Sequence, residues 1–350
     1  MVVFDNIIFS LQRAGGISMV WYNLLKYALD KELSLQCIEY EGADKNIFRE
    51  SLRIPDNSLE LRSSRLLNIR RYLSPAIKFD APTIFHSSYY RYCNNHNARI
   101  VTTVHDFTYE YYNSGLAKQI HCRQKYEAIK RSDIVVCISE NTKRDLLKFL
   151  PDTENDKIRV IYNGVSEEYY PIDNRIKELE DYVLFVGARG NYKNFRFVVE
   201  SLRKTDLKLA ICGTPLSVQE KEFVDSTLGS SKYKTFEHIS NEQLNILYNS
   251  VYCLAYPSSY EGFGIPVLEA QRAGCPVIAV NSSSIPEVIG QTSLLIDSLD
   301  ETEFLEKLYM LQCDTTKKKV VESGLINSQR FSWTKMADEY LALYNELLNK

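Results

Sequence analysis

The chain has 350 residues, 45% of them hydrophobic and 25% charged, with a formal net charge of −3. That length exceeds one ordinary core and fits two domains of roughly 150 to 180 residues each. The slightly acidic balance argues against a general nucleic-acid binder, and no apolar run approaches the roughly 20 residues that span a bilayer.

The opening MVVFDNIIFS is apolar but short and interrupted by Asp5 and Asn6, so residues 2–9 read as a strand. A signal peptide would want a basic start and a longer apolar stretch. A Gly15-Gly16 turn follows, then an amphipathic helix from Ile17 to about Leu29. Further strands are expected at 34–39, 83–86, 99–104, 134–138 and 158–162, with helices around 117–131 and 140–149. Short β-rich runs alternating with helix-like segments signal parallel sheets with crossover helices. Residues 1–168 therefore read as one doubly wound domain. Within it, LRSSRLLNIRRYLSP (61–75) sets Arg62, Arg65, Arg70 and Arg71 beside Leu66, Leu67, Ile69 and Leu73. It reads as an amphipathic helix, either packed on its own domain or lying on anionic lipid.

The polar stretch 166–178 is expected to link this half to a second strand–helix series, residues 179–330. Its strands are YVLFVGAR (182–189), LKLAICG (207–213), YKTFEHI (233–239), VYCLAYP (251–257) and PVIAV (276–280). Helices fit 195–203, 216–228, 241–249, 266–273 and 301–311. The last segment, 331–350, carries Met336, Tyr340, Leu341, Leu343, Tyr344, Leu347 and Leu348 at helical spacing, and is expected to return to the first domain. The fold class is α/β, with two Rossmann-like doubly wound domains facing a cleft at the carboxyl ends of their strands, where ligands of such sheets bind. Eight cysteines show no C-x-x-C pair and no zinc-like spacing. They read as free buried thiols of a cytoplasmic protein.

Three clusters carry chemistry. PSSYEGFGIPVLEAQRAGCPVIA (257–279) follows an apolar strand, turns through glycines and enters a helix. A turn of this kind offers the backbone of Gly262, Phe263, Gly264 and Ile265 to anionic or hydroxylated ligands. Glu261 and Glu269 stand near two helical turns apart, so one can meet a sugar while the other reaches a ribose. In FVGARGNYKNF (185–195), Gly187 ends a strand and Arg189 and Lys193 place two cations on the next loop, where a leaving diphosphate develops charge. In the first half, Gly15 and Gly16 follow the first strand, and TTVHDF (102–107) ends in His105-Asp106. Ser139 reads as an N-cap with Thr142 close behind, and Asn163 lies in the YNGV turn.

The 257–279 stretch resembles the E-x-x-x-x-x-x-x-E motif of glycosyltransferase family 4, and the match extends through GFG and GCPVIA. The resemblance covers nearly the whole chain and implies a GT-B fold. It implies retaining, metal-independent transfer of a hexose from a nucleotide diphosphate sugar, GDP-mannose favoured and a UDP-hexose possible, with no permanently bound cofactor. Its acceptor would be a glycan or lipid-linked glycan of surface polysaccharide synthesis. The family pattern sets Arg189 and Lys193 at the diphosphate, Glu269 at the ribose, Glu261 at the donor sugar, His105 near the reacting centre and Gly15-Gly16 near the donor phosphates. Base recognition would fall around Gly213 to Pro215 and His238 to Ser240. A basic face in the first domain would allow peripheral contact at the inner side of an anionic membrane. No G-x-G-x-x-G follows the first strand, and the chain has no P-loop and no Asp-x-Asp pair. A GT-B-shaped nucleotide-sugar epimerase and a non-catalytic sugar-nucleotide-binding subunit are the alternative readings.

Overall fold

The computed structural model describes residues 1–349, and of Asn191 the backbone alone. The chain divides into two compact units, Met1–Gly164 with Phe331–Lys350, and Val165–Arg330.

The first unit runs β1 (Val2–Asp5), α1 (Ile7–Leu11), α2 (Gly16–Asp30), β2 (Leu35–Tyr40), β3 (Leu59–Arg62), α3 (Leu67–Arg70), β4 (Thr83–Ser87), β5 (Ala98–Val104), α4 (Thr108–Tyr112), α5 (Gly115–Arg131), β6 (Ile134–Cys137), α6 (Glu140–Phe149) and β7 (Ile158–Val160). Its sheet is parallel throughout, in the order β3-β2-β1-β4-β5-β6-β7. Strands covered on both faces need near-continuous apolar runs. VVFD and IVVC meet that need and are buried along their whole length. In α2, Val20, Trp21, Leu24, Leu25 and Ala28 recur three and four apart and bury one stripe.

Two expectations need correction here. The opening strand stops at Asp5, and Ile7–Leu11 form a short helix rather than its continuation. At the junction the buried Asn6 side chain accepts from Trp21 Nε1 (2.7 Å) and donates to Glu39 (2.9 Å). Residues 61–75 are not one amphipathic helix. Leu59–Arg62 add an edge strand to β2, and Leu66 at φ +61° confines the helix to four residues.

The second unit runs β8 (Tyr182–Val186), α7 (Phe195–Leu202), β9 (Lys208–Gly213), α8 (Val218–Leu228), β10 (Tyr233–Glu237), α9 (Asn241–Ser250), β11 (Cys253–Tyr256), α10 (Ile265–Arg272), β12 (Val277–Val280), α11 (Ile285–Ile289), β13 (Leu295–Ile296), α12 (Glu301–Met310) and α13 (Asp314–Ser328). Its parallel order, β10-β9-β8-β11-β12-β13, repeats the logic of the first sheet, so each unit is Rossmann-like and doubly wound. Capping boxes start α8 (Ser217, Glu220) and α9 (Ser240, Gln243). The 166–178 stretch lies along α9. The N–H groups of Tyr170, Ile172 and Ile176 donate to Asn245 (3.1 Å), Asn249 (2.9 Å) and Ser250 (2.9 Å). All eight cysteines are free thiols, seven of them buried.

The final helix, α14 (Trp333–Leu348), belongs to the first unit and buries Met336, Ala337, Tyr340, Leu343, Tyr344 and Leu347 in its core. Its hydroxyls meet the sheet at His86, where Nδ1 contacts Tyr344 (2.6 Å) and Nε2 contacts Thr103 (2.9 Å), which also bonds Tyr340 (2.8 Å). Burial pushes His86 down to about 3, so it is neutral and can share its two nitrogens between donor and acceptor roles.

Both tryptophans, Trp21 and Trp333, lie in this unit, so their fluorescence follows its unfolding. Tyr344→Phe is expected to cost about 1–3 kcal/mol by leaving a buried imidazole nitrogen unpaired. Tyr344→Ala is expected to cost about 3–5 kcal/mol by also leaving a cavity. A tryptophan-detected urea midpoint that both variants leave in place would mean that α14 is not part of this core.

Candidate active site

In the second sheet β8 is flanked by β9 and β11, and the winding direction reverses beside it. Loops that leave neighbouring strands at such a point diverge, and the crevice beyond the strand ends takes the ligand. Two sequence-predicted residues meet there. Lys193, on the loop after β8, forms an ion pair through Nζ with Oε1 of Glu261, on the loop after β11. The side chains retain 16% and 12% of their exposure, so the pair is shielded yet reachable. Shielding strengthens its attraction over that of a surface pair. Tyr256 OH lies 3.5 Å from the same ammonium.

The backbone around this pair is held by residues that sequence reading missed. Asn194, at φ +53°, caps α7 and donates from Nδ2 to Pro257 O and Ser259 Oγ, both at 2.7 Å. From the loop after β12, Ser282 Oγ donates to Ser259 O (2.7 Å). Ser283 Oγ accepts from Glu261 N (2.8 Å). Ser284 Oγ donates to Glu261 O (2.9 Å) and Phe263 O (2.8 Å). The signal was present as three serines behind PVIAV, but nothing local says what they bind.

Gly264 ends the glycine turn at φ +107°, where a Cβ would lie 2.8 Å from Ile285 Cδ1, and Ile265 and Pro266 open α10. The helix therefore begins three residues after Gly262 and does not contain Glu261. This agrees with the strand–turn–helix expected from the sequence, with the helix at 266–273. Glu261 is a loop residue held by serines, whereas Glu269 alone lies on α10, buried. Tyr248 OH donates to Glu269 (3.0 Å). Burial raises this carboxyl to about 7, and hydrogen bonds from Tyr248 and Tyr169 only partly offset that. Tyr169 comes from the 166–178 stretch.

Arg189 and Lys193 do not share a partner. Arg189 grips Glu220 with Nε (2.8 Å) and Nη2 (3.1 Å) and donates to Thr214 O (2.9 Å) and Pro215 O (2.8 Å). Its side chain is 4% exposed. The guanidinium holds Glu220 down to about 2. Arg189 thus fixes the 213–215 turn. Behind it the chain ends of β8 and β9 touch closely, since a Cβ on Gly213 would lie 2.8 Å from Gly187 O. His238, at φ +52°, precedes the cap of α9.

In the first unit, Gly15 is extended (φ 166°) and Gly16 opens α2. His105 follows β5, is buried, and is pushed down to about 4 by that burial, with Lys125 also lowering it and Asp106 opposing. Lys125, with no exposed surface, donates to Asp106 O and to Glu110 Oε2, both at 2.9 Å. Asn163 is buried. Gly164 admits the returning chain, because a Cβ there would lie 2.2 Å from Trp333 N. Ser139 caps α6 by accepting from Thr142 N (3.0 Å). Among the described residues no three His, Cys, Asp or Glu side chains gather as a metal-binding group, and no helix is long and apolar enough to cross a membrane.

Residues 166–340 match the family model described as glycosyl transferases group 1, and residues 14–169 match glycosyltransferase family 4. The chain is 24% identical to O-antigen chain mannosyltransferase B of Escherichia coli, over 83% of this chain and 81% of that protein. It is 30% identical to O-antigen chain mannosyltransferase RfbU of Salmonella typhimurium, over 57% of each. The Anabaena protein HepE in complex with UDP superposes with a TM-score of 0.75 at 15% identity over 99% of both chains, which shows a shared GT-B fold.

A raised carboxyl binds its proton more tightly in the folded state, so its contribution is fully present below the unfolded value near 4.5 and is lost as pH rises through about 7. Glu269→Gln is therefore expected to gain stability over the native chain between pH 5 and pH 8, by about 3 kcal/mol at most. Calorimetric melting of both proteins across that range reads it. A constant difference would mean that Glu269 ionises freely.

Proposed function

The chain belongs to the glycosyl transferases group 1, and on that premise we propose that it is a retaining, metal-independent hexosyltransferase acting on a glycan or lipid-linked glycan acceptor of surface polysaccharide synthesis. The observation that carries this reading is the Lys193–Glu261 pair at the winding reversal of the second sheet. A nucleotide diphosphate sugar binds with its diphosphate at Lys193 and at the Gly262–Ile265 backbone that opens α10, where the helix dipole favours anions. Glu269 accepts from the ribose hydroxyls, and Glu261 holds the donor sugar.

In the reaction the bond from the anomeric carbon to the diphosphate oxygen breaks, and the acceptor oxygen bonds the same face of that carbon. The acceptor proton passes to the leaving phosphate. Fixed positive charge at that oxygen lowers the barrier because it strengthens as charge develops. Lys193 supplies it directly. Arg189, neutralised by Glu220, acts by holding the 213–215 turn at the base. The names of the two O-antigen relatives support mannose as the sugar, and GDP-mannose is the donor favoured here, whereas HepE is in complex with UDP. The protein works in the cytoplasm, and peripheral contact with an anionic membrane fits Leu61, Leu66, Ile69 and Leu73, exposed in the arginine-rich 61–75 segment.

Thermal shift against GDP, UDP, ADP and their sugars tests this reading. Stabilisation by one nucleotide family is expected, unchanged by EDTA, with transfer to a glycan acceptor when its sugar form is supplied. Lys193→Met is expected to lower the transfer rate about 10²-fold or more. Release of a new sugar nucleotide without an acceptor would establish an epimerase instead, and stabilisation by no nucleotide would overturn the site. Sedimentation with anionic liposomes, expected to weaken when Arg62, Arg65, Arg70 and Arg71 are neutralised, reads the membrane contact.

A further inference from the structure

The first unit carries a groove of 530 Å³ bounded by residues 72–74, the 90–92 turn beyond β4, and one face of α5. Three tyrosines line it, Tyr72, Tyr90 and Tyr92, together with Arg91, Arg123 and Gln124. Its charge is unusual for a chain with a net charge of −3. Arg131 also lines it, with its guanidinium 4.6 Å from the Tyr92 ring centre, and Glu127 is 3.5 Å from that arginine. Arg91 is paired with Asp5 (3.3 Å). Arg123 is exposed and has no carboxylate within 4.0 Å among the described residues. One positive charge, Arg123, therefore stands uncompensated on a groove that three tyrosines also line.

The walls hold a second signal. Arg91 is 3% exposed; its Nε faces Asp5 in the ion pair, but its Nη1 has no hydrogen-bond partner, nor does the buried Oε1 of Gln124. Outside the lining, the Arg71 carbonyl accepts from Gln124 Nε2 (2.6 Å). Buried polar atoms are rarely left unpaired, and two on residues lining one groove point to a missing partner. An unpaired donor and an unpaired acceptor on the same lining call for a ligand that both accepts and donates, which carbohydrate hydroxyls do. Tyrosine faces suit the apolar C–H face of a pyranose, and a guanidinium suits phosphate or carboxylate.

We propose that this groove binds an acidic saccharide, a pyranose bearing a phosphate or carboxylate group, with its ring against the tyrosines and its charge at Arg123. Under the transferase reading, on which this use rests, the groove holds the acidic part of the acceptor. A turn of the Gln124 amide brings Oε1 to a ligand hydroxyl, and Gln124 in turn releases the Arg71 carbonyl.

Titration calorimetry on the full chain tests it, with mannose 6-phosphate and glucuronic acid as the two acidic arms and methyl mannoside and inorganic phosphate as controls. At least one acidic sugar is expected to bind. Tyr72→Ser and Arg123→Ser change exposed side chains and are expected to weaken that binding about tenfold each, with the nucleotide thermal shift unmoved. Equal binding of methyl mannoside would remove the role of the charge, and equal binding of inorganic phosphate would remove that of the ring. Either result overturns the proposal, as does binding that both variants leave intact. Loss of liposome sedimentation in Arg123→Ser with saccharide binding unchanged would assign this face to lipid instead. Saccharide binding without any nucleotide response would sink the transferase reading alone, and the converse would sink the groove alone.

Discussion

The Lys193–Glu261 ion pair joins residues 68 positions apart, and it exists because β8 and β11 are neighbours in a sheet that winds both ways from that point. A parallel sheet places all its strand ends on one side, and the reversal leaves a crevice there that no crossover helix fills. Much of what surrounds the pair serves to bring two loops to one spot. Asn194 ties the first loop to the second, and the serines after β12 tie the second loop to a third strand. Gly264 lets the chain turn into α10 against Ile285 without a clash. The site is thus a property of the sheet order, with side chains recruited from three successive strand ends.

The first unit fixes its strand ends differently, with charges that have almost no exposed surface. Arg91 meets Asp5, and Lys125 meets Glu110. Burying two charges costs several kcal/mol per ion, so such pairs add little net stability, yet removing one partner costs about 3–5 kcal/mol. Their effect is to lock geometry. Lys125 spends one hydrogen bond on the carbonyl of Asp106, the residue after His105, and so fixes the turn in which that histidine sits. The same burial keeps His86 and His105 neutral, which suits an imidazole that shares hydrogen bonds rather than carrying charge.

What the sequence made legible was local. The alternation of apolar runs with amphipathic segments shows two doubly wound units, and PSSYEGFG followed by a helix shows the turn and Glu269. The glycine turn leaves Glu261 on the loop and Glu269 on the helix, as the sequence pattern already indicated. In residues 61–75 the basic-apolar pattern was real, but Leu59–Arg62 found a strand edge beside β2, and tertiary pairing overrode the helical spacing. The serines that hold Glu261 and the tyrosines that hold Glu269 lie 20 or more residues away in most cases, at 22 for Ser283 and 21 for Tyr248. Their partners are set by the sheet, which composition and spacing do not reveal.

The two cations of the GARGNYKN loop illustrate what geometry adds. By residue type Arg189 is the stronger candidate for a diphosphate, since its fork matches phosphate oxygens. Here that fork is already filled by a carboxylate and two carbonyls, and an anion displacing Glu220 would have to replace two hydrogen bonds while the carbonyls keep theirs. Lys193 has one carboxylate partner, on a loop that is itself expected to touch the sugar. A ligand that brings diphosphate to the ammonium and sugar hydroxyls to Glu261 satisfies both halves of that pair at once. Under the proposed transferase reading the ion pair is a placeholder for the donor, holding both groups aligned until a molecule of opposite polarity at each end takes it apart.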